Sequence, residues 1–589
     1  MRRHSVKKSL FILFCLLYTV IILSGCGQVH SKNTQAEENF DHFLTSCFKE
    51  YVTRDGVTLH FKLSDPSSFH ITKPVSPSFA NLSYESQKAY CDQSQKLLNK
   101  LYSYPKSHLT QNQKLTWNIL EQMLRQSVAQ KDYLLYSSML GNNGLPSQIP
   151  VTLSEYSFRN TQDVTDYLSL VNQVPNLFEQ LLSFEENRRE AGIISPDFVI
   201  TDTIDQIDQF LSDRSNLLIE SFDERIQSLD CFSEDQKNSY IANNRSLVQN
   251  KIFPAYRDLK KSLKAYVPSG EKKERLCQYE KGKDYYRLLL SSNVGTEMTP
   301  EECIEALKKM LLKTTREVST LTKNNPDLYM QYLNADPFLK NPNQIMKNLK
   351  EYTEKDFPGI SDIPFLLKSV PDALSGTSAC AFYMIPPIDS KNENIIYINQ
   401  TRIGENEMFS TLAHEGYPGH LYQTNYFLST NPAPLRTVLR TEGYDEGWGT
   451  YAQLYSYRYL SFRNTDQKTQ TLLRTLCRDN DLLSLSLSSL SDLYVNYKNY
   501  DREKLASFLN QYGIDAESSN QIYEYVIENP AVYLSYGIGY YELDTLKQNM
   551  KSQFSKEFSE KKFHQAVLHT GSCNFSILHD EVERFFQRE

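Results

Sequence analysis

The sequence predicts a mainly α-helical protein with one small β-sheet, on three observations. Its 589 residues include only 21 glycines and 23 prolines, too few chain-breakers for a fold built of many tight turns. Apolar residues recur at three- and four-residue steps over long stretches, the helical period. Strand-like runs are confined to the segment from Phe365 to Gln400. With 40% hydrophobic and 23% charged residues, the chain has a globular balance, which excludes a largely disordered protein.

The first element is a targeting segment. Arg2, Arg3, Lys7 and Lys8 form a positive cluster, and Leu10 to Leu23 is apolar. That run is shorter than the ~20 residues a membrane-spanning helix needs and suits a secretory signal. Leu23-Ser24-Gly25-Cys26 follows and resembles the lipobox of bacterial lipoproteins. By that resemblance residues 1–25 are a signal peptide and Cys26 becomes the lipidated first residue. The body is then expected to be anchored by lipid at the membrane, on its extracytoplasmic face. The formal charge of −8 becomes about −12 without the four leading basic residues, which argues against a nucleic-acid partner.

Residues 26–40 are polar, as a tether should be, with Gln28, Ser31, Lys32, Asn33, Thr34 and Gln35. Residues 41–290 read as an N-terminal helical region. Leu115, Ile119, Leu120, Met123 and Leu124 make one apolar face, and Ile204, Ile207, Phe210 and Leu211 another. The breaks are sparse: Gly141-Asn142-Asn143-Gly144, Gly192 to Pro196, and Pro268-Ser269-Gly270. Residues 291–589 form the expected catalytic half. Near its start, Thr299-Pro300-Glu301-Glu302 is a helix beginning, with a capping threonine, a proline at the first position and acids in the first turn. The strand-like runs are Ala381 to Ile385, stopped by Pro386-Pro387, and Ile395 to Asn399. Eight cysteines remain in the body, without any C-x-x-C pair; the spacing does not choose between disulfides and buried thiols.

Histidine placement locates the chemistry. Of eleven histidines, only His414 and His420 fall between residues 109 and 563. They flank Glu415 in Thr411-Leu412-Ala413-His414-Glu415-Gly416-Tyr417-Pro418-Gly419-His420. Neutral imidazoles bind zinc, and a carboxylate beside them can take a proton from metal-activated water. In H-E-x-x-H proteins the histidines share one helical face. Here they are six apart, ~240° around an unbroken helix. Pro418-Gly419 removes that conflict by breaking the helix, so that His420 can swing back. A third ligand is expected downstream, in Glu442-Gly443-Tyr444-Asp445-Glu446-Gly447-Trp448. On spacing alone, Glu442 and Glu446 both qualify. Asn399, ending the strand before the histidine segment, is a candidate for lying along an extended peptide.

These motifs resemble the bacterial domain-of-unknown-function 885 family, exported zincin-like proteins often made as lipoproteins. The H-E-x-x-P-G-H-x-x-Q hallmark is complete as His414, Glu415, Pro418, Gly419, His420 and Gln423. The E-G-W motif falls on Glu446-Gly447-Trp448. A later element matches Pro530, Tyr536 and Gly539, and a closing one Phe563, His564, Leu568 and Gly571. One departure stands out: where the family has E-x-x-R-Y, this chain has Glu524 in place of the arginine. The resemblance implies a gluzincin-like helical metallopeptidase that holds zinc through His414, His420 and Glu446. Glu415 would be the general base, Tyr536 an oxyanion donor and Gln423 a substrate-side residue. The expected partner is a peptide substrate. The rival expectation is a helical peptide-binding lipoprotein whose zinc is absent or structural. A nucleophile elbow at Gly376 to Cys380, a dinucleotide loop at Gly537-Ile538-Gly539 and a P-loop all fail on incomplete motifs.

Overall fold

The structure, a computed structural model, describes residues 35–212, 216–266, 273–370, 379–390 and 394–588. The signal peptide, Cys26, the break at Pro268-Ser269-Gly270 and most of the Gly376–Cys380 segment lie outside the described residues.

Helix α1 covers residues 35–52. It begins inside the stretch expected to be tether, because Phe40, Phe43, Leu44 and Phe48 repeat at helical spacing and are buried. Helices α2 (Tyr84–Leu101) and α3 (Gln111–Gln130) pair beside it. Thr110 and Gln113 form the capping box that starts α3, and Leu115, Ile119, Leu120 and Leu124 turn inward. Helix α4 (Thr161–Glu190) runs 30 residues. Its Tyr167, Leu170, Val174 and Phe178 make a second core with Phe222 and Tyr256. Helix α5 (Pro300–Asn324) starts at the capping box of Thr299 and Glu302. Its Ile304 and Leu307 join a third core.

The expected sheet is present and has three strands: β1 (Phe365–Ser369), β2 (Ala381–Met384) and β3 (Asn394–Ile398). Their order is β1-β3-β2, with β3 parallel to β1 and antiparallel to β2. Beyond it follow α6 (Glu405–Glu415), α7 (His420–Ser429), α8 (Glu442–Ser456), α9 (Gln467–Asn496), α10 (Val532–Gln553) and α11 (Glu560–Thr570).

The boundary expected at residue 290 does not separate cores. Phe40, Leu101 and Ile119 share the largest core with Leu412, Trp448 and Phe563 of the C-terminal half. A chain cut at 290 would divide that core, whereas the buried members of the α4 core all fall within residues 140–263. The eight body cysteines are all free thiols. Among the described residues no helix is long and apolar enough to cross a membrane.

Candidate metal centre

Helix α6 ends at Glu415 with Gly416 as its cap, and α7 begins at His420. The intervening turn brings the His414 and His420 rings to 4.7 Å, nearly perpendicular at 86°. Gly419 is required there, since a Cβ would sit 1.6 Å from the His414 carbonyl oxygen. The buried Trp448 donates its Nε1–H to the Pro418 carbonyl at 2.9 Å and fixes the turn to α8.

Glu446 comes from α8. Its Oε2 is 3.4 Å from His414 Nε2 and 3.5 Å from His420 Nε2. Ligands about 2.0–2.1 Å from zinc in a tetrahedral arrangement stand ~3.3–3.4 Å apart, so the donor spacing fits the ion. Burial alone would raise Glu446, but His420 and His414 outweigh it and hold the carboxyl far below its usual range. Burial alone would lower His420, but Glu446 outweighs it and raises the imidazole to about 9. A metal must displace that proton, so binding here releases it.

Each imidazole is also held from behind. His414 Nδ1–H donates to Gln453 Oε1 at 3.2 Å, and Gln453 Nε2 donates to Asp481 at 2.8 Å. His420 Nδ1–H donates to Gln423 Oε1 at 3.4 Å. Such outer bonds set ring tautomer and direction. Gln423 therefore backs a histidine instead of standing at the substrate side. Gln453 escaped sequence reasoning, although it lies seven residues past Glu446 on the same face of α8. Gly449 escaped it too. A Cβ there would come within 2.7 Å of His414 Cε1 and Nε2 and 3.0 Å of His420 Cε1.

Glu415, next to the ligands, is buried and accepts the Tyr383 backbone N–H at 2.9 Å. Burial raises its carboxyl above the ordinary value, while His414 and His420 pull the other way. Tyr536 stacks on His414 with centroids 6.0 Å apart. It arrives there because α8 and α10 nearly touch, with a Cβ on Gly447 placed 2.5 Å from the Gly539 carbonyl carbon. Burial, then Glu446 and Glu415, push the Tyr536 hydroxyl well above its usual range, so it stays a proton-bearing donor.

Two further sequence expectations, for Asn399 and Glu442, land elsewhere. Asn399 is buried at the end of β3, the central strand; its N–H donates to Cys380 and its side chain accepts from Thr401. It offers no free edge. The strand bordering α6 is β2, whose Tyr383 N–H faces Glu415. Glu442 lies within ion-pair distance of neither histidine and backs neither ring. Burial, then Glu446 and Asp445, raise it to about 7. His564 sits behind Trp448, accepting from Tyr451 at Nε2 and donating to the Asp356 carbonyl, with its ring on Phe357. At the departure from the family pattern, Glu524 is tied to Arg502 at 2.8 Å.

We expect Gly449→Ala to separate fold from metal. Alanine is a better helix former by ~1 kcal/mol, which offsets much of the cost of displacing the imidazoles, so the unfolding midpoint of the zinc-stripped protein should change little. Zinc affinity should fall by at least the ~10–100-fold that follows loss of a supporting partner. Zinc titration and thermal unfolding of the stripped variant check both halves.

The fold and site define a mainly helical protein with a two-histidine, one-glutamate candidate metal centre. Residues 76–582 match the family described as bacterial protein of unknown function (DUF885), and the chain belongs to that family. No curated protein matches it. Among solved structures, it is similar to a candidate lipoprotein from Colwellia psychrerythraea, at 16% identity and a TM-score of 0.83, covering 94% of this chain and 100% of that one. A candidate lipoprotein of unknown function from Shewanella oneidensis is similar at 13% identity and a TM-score of 0.62, covering 91% and 98%. At such identities the likeness is one of fold.

Proposed function

We propose that the protein is a zinc-dependent peptidase, anchored by lipid outside the cytoplasmic membrane. The observation that carries this reading is the convergence of His414, His420 and Glu446 at zinc-ligand spacing, with Glu415 buried beside them. Zinc, when bound, would polarise a scissile carbonyl and acidify water.

The chain's own residues supply the rest. Gln453 and Gln423 hold the imidazoles with the ring Nε2 atoms facing Glu446, and those two histidines and Glu446 would hold the ion. Glu415, its basicity raised by burial, takes a proton from the attacking water and delivers it to the departing amine. Tyr536 donates its hydroxyl hydrogen to the developing oxyanion. An extended peptide lies along the free edge of β2, where Tyr383 already points its N–H at Glu415. Its path is β2, in place of the Asn399 position.

The deciding experiment combines metal analysis with digestion of a mixed peptide pool. About one zinc per chain, and cleavage abolished by chelation and restored by zinc, is the expected result. Stoichiometric zinc with every peptide intact would favour a binding protein instead. Tyr536→Phe should keep zinc and lower kcat about 10²-fold with little change in KM.

The anchor rests on Leu23-Ser24-Gly25-Cys26 and agrees with the lipoprotein description of the two similar structures. Cys26→Ala should shift the protein from the membrane fraction to the medium or to an unprocessed form. Fractionation with mass measurement of the N-terminus reads this directly, and correctly cleaved protein still held at the membrane would remove the lipid.

A further inference from the structure

Behind His420, on the side away from the candidate metal, lies a cavity of about 30 Å³. This is room for a water or a small ion, not for a peptide side chain. Three polar groups in its wall are nine-tenths or more buried and lack partners at one atom each. Arg436 is 5% exposed with Nε unpaired, Gln423 is 4% exposed with Nε2 unpaired, and Thr424 is 7% exposed with Oγ1 unpaired.

Arg436 is the telling member. Its Nη2 donates to the Thr570 carbonyl at 2.7 Å, and Phe427 lies under the guanidinium at 5.6 Å. No carboxylate among the described residues is within ion-pair distance of it. A buried cation without a counter-ion is costly. Asp445, the one acid lining the cavity, is already engaged by Arg440 at 2.7 Å. The nearby Tyr444 hydroxyl donates to the Val567 carbonyl at 2.9 Å and, being neutral, brings no charge to balance Arg436. A single water could accept from Arg436 Nε and Gln423 Nε2 and donate to Thr424 Oγ1, but it brings no charge to balance Arg436.

We propose that this cavity is a binding site for a small monovalent inorganic anion of chloride size, held by Arg436, Gln423 and Thr424. The anion neutralises Arg436 and takes the Gln423 Nε2–H. It thereby fixes the orientation of that amide, whose Oε1 accepts from His420. The site thus touches the metal centre through one side chain, and it stands whether or not the protein is a peptidase.

Two measurements on the purified chain test it. In crystals soaked with bromide, an anomalous peak is expected within hydrogen-bond distance of Arg436 Nε and Gln423 Nε2. In solution at constant ionic strength, replacing sodium gluconate by sodium chloride should raise the unfolding midpoint by about 2–4 °C at saturation. Arg436→Met should abolish the chloride dependence. If that variant does not fold, Thr424→Val decides, because it keeps the side-chain shape and should raise the half-saturating chloride concentration several-fold. Water alone in the cavity, equal midpoints in the two salts, or a bromide peak without any effect in solution would overturn the site. Stabilisation by acetate but not by halide would overturn it as well, by assigning the cavity to a carboxylate.

Discussion

Glu415→Gln should stop turnover while leaving zinc bound. Glu415 is not in the group of His414, His420 and Glu446 whose donor atoms converge. The amide that replaces it can still accept the Tyr383 N–H, so the contact between β2 and α6 survives. What it cannot do is take a proton. Loss of a positioned general base costs ~10²–10⁴-fold, and kcat should fall by at least the lower figure. The folded state should not suffer, because burial already raises the wild-type carboxyl above its ordinary value, and a neutral amide carries no buried charge. Metal content, kcat and the unfolding midpoint of one purified variant check all three statements. Zinc lost from Glu415→Gln, or near-normal kcat, would return Glu415 to a structural role.

Much of this was readable in the chain. The capping pattern at Thr299 and Glu302 and the apolar spacing of α3 were legible because both depend on residues within one or two turns. The small sheet was legible because β-branched and aromatic runs occur nowhere else in such density. The His414–His420 spacing even predicted a helix break, since no unbroken helix turns both imidazoles one way. What remained hidden was set by contacts between distant segments. Which strand is central cannot be read from β2 and β3 alone. The order β1-β3-β2 depends on β1 pairing with β3 across the intervening segment, and that pairing removes Asn399 from any free edge. Gln423 looked like a substrate residue because its motif position says nothing of the side to which its amide turns. Residues 35–40 looked like tether by their polarity, yet one aromatic, Phe40, inserts fully into the core and carries the helix with it.

Gly447 beside Glu446 does not make room for the imidazoles; it lets the backbone of Gly539 in α10 come close. The residue that clears space for the imidazoles is Gly449, two positions on. Helical geometry separates the two roles: Gly447 points ~100° away from Glu446, while Gly449 lies ~60° to its other side, toward α6. Both roles are therefore compatible with one short G-x-G segment, and only the packing partners tell them apart.

Glu446→Ala should lose zinc almost completely, and Glu442→Ala should keep it. The two carboxylates are one turn apart, ~5.4 Å along the axis of α8, so periodicity alone cannot choose between them. Distances do. Glu446 Oε2 lies 3.4 and 3.5 Å from the two histidine Nε2 atoms, whereas Glu442 approaches neither. Glu442 is not a supporting partner either, because Gln453 and Gln423 already occupy the two Nδ1 positions. Its removal should therefore leave zinc affinity within a few-fold of the parent, below the ~10–100-fold cost of losing an outer partner. Gln453→Ala, which strips a true partner from His414, should fall in that ~10–100-fold range and calibrates the scale. Zinc content after dialysis, followed by competition with a chelator of known affinity, ranks the three variants. The expected order of zinc retention is Glu442→Ala, then Gln453→Ala, then Glu446→Ala. Zinc lost from Glu442→Ala and kept by Glu446→Ala would make Glu442 the ligand and would require α8 to rotate by about 40° from the orientation that now packs Gly447 on Gly539.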